Sequence, residues 1–362
     1  MSTDNNNNNN NNNQNIDLII SPLSSILDGL KRMDLIKKKL LIVNDNQKFL
    51  GLLSIGDIQR AIIKSVDLDT EIVKIIRNDN IICTPEHSID EVKKIMLTIR
   101  AEFMPIVNEN GVLVNVIFWE DLFGAENIVP LNQFNLPVVI MAGGFGTRLK
   151  PLTNVLPKPL IPIGEKTMVE EIFDRFSKHG CTDFYISVNY KADLIEYYLR
   201  NQNLPFNLDF FKENKPMGTG GSLALLKDKI HQTFIVSNCD ILIEQDYSEI
   251  LEYHKKSKNE ITIVAALKHY PIPYGIVETG DNGQLLHLKE KPELTFKINS
   301  GMYILEPHLL NEIPENEFFH ITQLIEKVKN RSGNVGVFPV SEKSWKDVGL
   351  LSDYIEILSN FN

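Results

Sequence analysis

The chain has 362 residues, 43% of them hydrophobic and 23% charged, enough for two or three domains with proper cores. Its formal net charge of −10 argues against a general nucleic-acid binder, although an acidic protein can still carry a local basic pocket for phosphates. No apolar run reaches the length of a membrane span and no signal peptide is recognisable, so a cytoplasmic protein with neither nucleic acid nor membrane as partner is expected.

Asn5 to Asn13 are an unbroken asparagine run with no apolar face to bury, which predicts disorder over residues 1–15. From Ile16 to Gly124 the sequence repeats itself at an offset of 63 to 64 residues, giving units of about 16–71 and 72–124. Ile19-Ile20-Ser21-Pro22 answers Ile81-Ile82-Cys83-Thr84-Pro85, and Leu41-Ile42-Val43 answers Met104-Pro105-Ile106-Val107. Ser54 and Asp57 answer Phe118 and Asp121. Each unit reads strand, helix, strand, turn, strand, helix, an α+β pair.

This repeat resembles a tandem pair of CBS domains, a regulatory module that commonly binds adenine nucleotides between its two halves. The resemblance implies a phosphate contact from the Ser54 hydroxyl and ribose contacts from the Asp57 carboxylate. In the second unit Asp121 remains but Phe118 replaces the hydroxyl, so one of two nucleotide sites has lost a phosphate partner. The alternative is a pair that only packs and dimerises. A homo-oligomer is expected.

A linker is expected over residues 125–137, with Pro130 and Pro137 as breakers, followed by a catalytic domain over 138–362. Val138 to Met141 are a short, wholly apolar, β-branched run, as in a strand buried on both faces of a parallel sheet. Gly143, Gly144 and Gly146 follow, and residues without a Cβ let backbone N–H groups converge on phosphate oxygens. The commoner nucleotide loops do not fit. Leu149 stands where a dinucleotide fingerprint needs glycine and Pro151 prevents its long helix, while Thr147 and Arg148 replace the Gly-Lys-Ser/Thr of a Walker loop. Beyond the loop, a helix near 167–179, a strand at 183–188, a helix near 192–200 and a strand at 207–211 alternate, which implies a parallel sheet covered by helices. Cys83, Cys181 and Cys239 show no metal-ligand spacing and are expected in cores.

The longer pattern, Gly-Gly-Phe-Gly-Thr-Arg-Leu-Lys-Pro-Leu-Thr and then Pro-Lys-Pro, resembles the signature of sugar-1-phosphate nucleotidyltransferases. That family joins a sugar-1-phosphate oxygen to the α-phosphorus of a nucleoside triphosphate and releases pyrophosphate. It implies a Rossmann-like α/β domain with a mixed, mostly parallel sheet. In the resemblance Ala142, Gly143, Gly144, Gly146 and Thr147 cradle the nucleotide, and Arg148 and Lys158 neutralise the phosphates. Gly218 and Thr219 contact the base. Phe234 to Asp240 is an apolar strand ending in a carboxylate, and Asp240 with Asp347 of Trp345-Lys346-Asp347-Val348-Gly349 would bind Mg2+. Gly275, Glu290, Lys291 and Asn299 would bind the sugar phosphate. The combination with a CBS pair resembles guanylyltransferases of the mannose-1-phosphate type, and especially CBS-fused glucosamine-1-phosphate guanylyltransferases of legionaminic acid synthesis. A thymidylyl- or uridylyltransferase acting on glucose-1-phosphate, and a catalytically dead nucleotide sensor, are the competing readings.

Overall fold

The structure is a computed structural model in which residues 17–46, 48–77, 80–124, 131–213 and 215–359 are described. The asparagine tract and the first part of the linker, residues 125–130, lie outside them. The chain divides into two units, Met1–Pro130 and Leu131–Asn362.

In the first unit the internal repeat is a repeat of structure. One half contains β1 (Ile19–Ile20), α1 (Ile26–Ile36), β2 (Leu40–Asp45), β3 (Lys48–Ser54) and α2 (Ile55–Ile63). The other contains α3 (Ile89–Ile99), β4 (Phe103–Val107), β5 (Leu113–Phe118) and α4 (Trp119–Phe123). The same local chemistry starts and stops the long helices. Ser25 caps α1 reciprocally with Asp28, and Ser88 caps α3 with Glu91. Lys37 and Arg100, both left-handed at φ 55° and 56°, end them. The halves share a core in which Leu18 and Ile42 pack with Phe103 and Val116.

Two details differ from the sequence reading. The strand expected over Ile81 to Pro85 is a single bridge, in which Cys83 N–H donates to Pro105 O at 3.1 Å and Val107 N–H donates to Cys83 O at 2.8 Å. Pro85 has no N–H with which to continue the ladder. Residues after 71 also close back on the first half, because Ile72 N–H donates to Ser24 O at 2.8 Å and Val73 N–H to Pro22 O at 3.1 Å.

The second unit is built on a seven-stranded sheet. Its elements are β6 (Val138–Met141), α5 (Met168–Ser177), β7 (Asp183–Val188), α6 (Ala192–Arg200), β8 (Asn207–Lys212), β9 (Phe234–Asn238), β10 (Ile241–Ile243) and α7 (Tyr247–Lys256). There follow β11 (Ile261–Pro271), β12 (Ile276–Thr279), β13 (Leu285–Lys289), β14 (Glu293–Leu305), α8 (Ile321–Asn330), β15 (Val335–Val340), β16 (Trp345–Asp347) and α9 (Leu351–Ser359). The large sheet runs in the order β8-β7-β6-β9-β14-β11-β15. Only β14 runs against the others, pairing antiparallel with β9 and β11. The sheet is therefore mixed and mostly parallel.

Burial explains why β6 sits at its centre. Val138, Val139 and Ile140 are fully buried, and covering such side chains contributes about 1.5–3 kcal/mol each. On one face Val139, Phe234, Val236 and Leu305 pack against Leu324 and Val328 of α8. Residues 131–137, expected as linker, lie along this unit instead. Phe134 N–H donates to His179 O at 2.7 Å, and Ile235 N–H donates to Pro137 O at 2.9 Å. The His179 ring stacks on Phe134 at 5.2 Å and on Tyr247 at 5.3 Å, which fastens the segment.

The three cysteines are buried and free, as core residues. Burial pushes the Cys181 thiol up to about 11 and Cys239 to about 12, so neither is a thiolate nucleophile. No helix among the described residues is long and apolar enough to cross a membrane. Because β6, β7, β8 and β9 are parallel, the loops that follow them gather at one edge of the sheet.

Candidate active site

At that edge the chain leaves β6 through Ala142, whose N–H donates to Ser187 O at 3.1 Å. The three loop glycines have different reasons to be glycine. Gly146 is left-handed at φ 63°, and a Cβ there would stand 2.7 Å from Thr153 Cγ2. A Cβ on Gly143 would stand 3.0 Å from Glu213 Oε1. Nothing lies within 4 Å of the corresponding position on Gly144, which leaves room beside its backbone. Thr147 opens a short turn that carries Arg148. The loop is tied down behind: Thr153 Oγ1 donates to Gly146 O at 2.9 Å, and Lys191 Nζ donates to Asn154 O and Val155 O, each at 2.8 Å.

Charge converges beside this loop. Lys158 sits on a turn framed by Pro157 and Pro159, only 12% exposed, and its Nζ donates to Asp240 Oδ2. Arg148, 56% exposed, brings Nη2 within 3.6 Å of the same oxygen. Asp240 is itself buried in the turn after β9. Asp347 arrives from the far end of the chain because β10 pairs antiparallel with β16, with Ile241 opposite Asp347. Val348 N–H then donates to Asp240 O at 2.8 Å, and Gly349 N–H to Asp347 Oδ1 at 2.7 Å. A Cβ on Gly349 would stand 2.5 Å from Asp240 Oδ2, 2.7 Å from Asp347 Oδ1 and 3.0 Å from Arg148 Nη2. Two acids and a cation therefore crowd one glycine backbone.

Burial raises the Asp347 carboxyl above the usual carboxylate range, and the charge of Asp240 adds to it, against the Gly349 N–H, Arg148 and Lys158. A divalent cation beside the two acids would relieve both effects. Hard carboxylate oxygens are the donor set magnesium takes, usually one or two of them with phosphate oxygens and water completing the shell. The residues fit the ion.

The Gly-Thr-Gly-Gly segment is explained first by packing. A Cβ on Gly218 would stand 2.7 Å from Phe319 O, on Gly220 2.9 Å from Ile321 N and on Gly221 2.6 Å from Glu317 O. Thr219 Oγ1 accepts from Ile321 N–H at 3.3 Å, where α8 begins.

The expected sugar-side residues form two groups. Gly275 and Glu290 meet at the foot of the β12–β13 hairpin, where a Cβ on Gly275 would stand 3.0 Å from Glu290 Oε2. Lys291 Nζ lies 4.0 Å from Glu290 Oε1, both side chains exposed. Asn299 lies further along, on β14, where its amide donates to Tyr303 Oη at 2.8 Å and accepts from Gly301 N–H at 3.1 Å. The β11–β14 register shifts here, between Ile263 and Ala265, and Gly301 at φ 85° packs on the Asn238 amide.

In the first unit Ser54 and Asp57 are adjacent but engaged. They cap α2 reciprocally, Ser54 N–H donating to Asp57 Oδ2 at 2.9 Å and Asp57 N–H to Ser54 Oγ at 3.2 Å. Asp57 Oδ1 also pairs with Arg60 and, at 3.0 Å, with Arg77. Asp121 caps α4, accepting from Phe118 N–H at 3.0 Å.

Sequence reasoning overlooked Glu213, Lys191 and the placement of Gly349. For Gly349 a signal existed, since it closes the Trp-x-Asp-x-Gly segment. Glu213 could have been noticed as an acid directly after the β8 run. Lys191 carries no motif.

Comparison with known proteins agrees with this geometry. The curated mannose-1-phosphate guanyltransferase of Schizosaccharomyces pombe is 34% identical over 229 residues, 61% of this chain and 62% of that protein. The catalytic subunit beta of mannose-1-phosphate guanylyltransferase from Dictyostelium discoideum is 35% identical over 185 residues, 49% of this chain and 52% of that one. The chain thus spans less than two thirds of the length of these relatives. Among solved structures, HddC from Yersinia pseudotuberculosis, also solved complexed with GMP-PN, superposes with a TM-score of 0.50 at 28% identity, covering 63% of this chain and 100% of that one. The CBS domain model matches residues 71–127, which include the second repeat. The nucleotidyl transferase model matches residues 137–362, well over half of the sequence, and the chain belongs to that family.

Proposed function

We propose that the protein transfers a guanylyl group from GTP to a hexose-1-phosphate in the cytoplasm, releasing pyrophosphate, with glucosamine-1-phosphate as acceptor and legionaminic acid or a related glycan as destination. The observation that carries the reaction class is the meeting of Arg148, Lys158, Asp240 and Asp347 beside the glycine loop.

A sugar-1-phosphate oxygen is already ionised at neutral pH, so the step needs no activated serine or cysteine. Alignment and charge neutralisation suffice. Lys158 contributes a fixed, largely covered positive charge, while the more exposed Arg148 can swing to a phosphate oxygen. Gly144 leaves space for phosphate against the loop backbone. Asp240 and Asp347 would hold magnesium, which when bound supplies positive charge to the triphosphate. Gly275, Glu290, Lys291 and Asn299 take the sugar phosphate, and Gly218 and Thr219 border the base.

In the first unit an adenine nucleotide would engage Ser54 and Asp57, trading its contacts for those Asp57 now makes with Arg60 and Arg77. The second repeat, with Phe118, is the poorer site.

The names of the curated relatives favour a second acceptor, mannose-1-phosphate. The deciding experiment is a grid of four nucleoside triphosphates against glucosamine-, N-acetylglucosamine-, mannose- and glucose-1-phosphate, read by pyrophosphate release. GTP with glucosamine-1-phosphate should lead. A lead by mannose-1-phosphate changes the acceptor, and a lead by dTTP or UTP with glucose-1-phosphate changes the nucleotide. No release from any pair removes the enzyme in favour of a nucleotide sensor.

A further inference from the structure

Lys191 stands in the turn after β7, immediately before α6, and its backbone is left-handed at φ 53°. Glycine or asparagine adopts that conformation more readily than lysine does, but neither has a side chain long enough for the contacts made here. Lys191 Nζ donates to Asn154 O and Val155 O at 2.8 Å each and to Thr153 O at 3.4 Å. These are the closing carbonyls of the one-turn helix Leu152–Val155, where a helix has no donors of its own. Pro157, four residues after Thr153, has no N–H to give. The ammonium group has three protons, one for each carbonyl.

Burial does little to hold that helix. Thr153 is buried, but Asn154 is exposed and Val155 is 75% exposed, so polar ties decide where the segment lies. Yet in sequence the helix separates the two cations of the site, Arg148 and Lys158. It also reaches back to the glycine loop, because Thr153 Oγ1 donates to Gly146 O at 2.9 Å. Tyr190 adds a weaker tie, its ring 5.3 Å from that of Phe145 and its Oη donating to Thr153 O at 3.5 Å. The turn after β7 therefore grips the phosphate loop from outside. With its protons engaged by carbonyls, Lys191 is not placed as a phosphate ligand.

We propose that Lys191 is a positioning residue: it locks the segment that spaces Arg148 from Lys158, so that the loop meets the triphosphate already formed. A loop ordered before binding spares the ligand the cost of ordering it. The assignment rests on the nucleotidyl transfer proposed above and names what holds its phosphate loop in shape.

The test compares the full-length wild type with Lys191→Met, which keeps the stem and removes the donors, and Lys191→Arg, which keeps charge and donors. Hydrogen–deuterium exchange of the ligand-free proteins reads the loop. The Asn154 and Leu156 amides, which donate to Pro151 O at 3.0 Å and Leu152 O at 3.1 Å, should exchange about tenfold faster in Lys191→Met, while β6 and β7 stay as in the parent. With the substrate pair that supports turnover best, the KM for triphosphate should rise by about tenfold and the KM for the sugar phosphate should not change. Lys191→Arg should recover most of both effects. Unchanged exchange over residues 150–158 in Lys191→Met overturns the assignment, and if the triphosphate KM still rises, Lys191 is a phosphate ligand instead. Faster exchange spread through β6 and β7, or equal rises in both KM values, makes Lys191 a general stabiliser and also overturns it. A wild type that turns over no substrate pair removes the transfer reading, and exchange in the ligand-free protein still decides whether Lys191 holds the loop.

Discussion

Asp240 and Asp347 come from distant parts of the chain and meet because Ile241 pairs with Asp347 and Val348 N–H donates to Asp240 O at 2.8 Å. The backbone thus brings the two residues together, with Gly349 N–H holding the Asp347 carboxylate while Lys158 and Arg148 hold that of Asp240. That rigidity suits a site whose work is to hold charge in place.

Asp240→Asn removes a negative charge and almost no volume. Turnover should fall on the order of a hundredfold or more while the circular dichroism spectrum stays that of the parent. Lys158 loses its ion-pair partner, so a melting temperature a few degrees lower is also expected. Near-normal turnover in a well-folded variant would remove Asp240 from the chemistry.

Gly349→Ala tests the crowding between the two acids. The methyl group would stand 2.5 Å from Asp240 Oδ2 and 2.7 Å from Asp347 Oδ1, too close without displacing at least one of them. Stability should drop by about 1–3 kcal/mol, the usual cost of overpacking. Activity should fall further than that loss explains, because the carboxylates are spread apart. Urea melts alongside turnover at saturating substrate separate the two effects.

The loop glycines give a contrast within one motif. Gly146→Ala meets both a left-handed backbone and Thr153, and should cost about 1–3 kcal/mol in a denaturation experiment. Gly144→Ala meets nothing in the folded chain, so its melting temperature should equal the parent's. If a phosphate uses that space, the KM for nucleoside triphosphate rises. A Gly144→Ala protein with unchanged KM would place the triphosphate elsewhere.

How much of this was legible beforehand depends on how local the cause is. The limits of β6 and β7 could be read from apolar runs, because a strand buried on both faces leaves a continuous signal. The duplicated first unit is legible because Leu41-Ile42-Val43 answers Met104-Pro105-Ile106-Val107 at a fixed offset, and the structure adds matching caps at Ser25 and Ser88. The first strand of the second repeat shrinks to the single Cys83 to Ile106 bridge, because how many ladder bonds an apolar run makes is set by its partner strand. Pro130 and Pro137 mark a linker over residues 125–137, but hydrogen bonds of Phe134 with His179 and of Pro137 with Ile235 make residues 131–137 part of the second unit. Lys191 is hidden for a similar reason: its meaning comes from Thr153, Asn154 and Val155, which only the folded loop brings within its reach.

Away from the site, Glu260 gives a pH-dependent stability with a definite sign. Arg331 grips its carboxylate, with Nη1 donating to Oε1 at 2.9 Å, and His308 Nε2 lies 2.7 Å from Oε2. These hydrogen bonds hold Glu260 down at about 2, against the usual value near 4.5. Arg331 Nη2 also donates to Glu312 Oε1 at 2.7 Å, so the guanidinium already supplies the cation for this acid and histidine cluster. A carboxyl whose folded pKa is depressed adds stability above its unfolded pKa and loses it as pH falls toward the folded one. The contribution should therefore be complete at pH 7, decline below about 4.5 and vanish near 2. Glu260→Gln should melt below the parent at pH 7, and the gap should narrow between pH 4.5 and pH 3. A gap that stays constant across that range would mean the carboxylate's charge contributes nothing and only its shape matters.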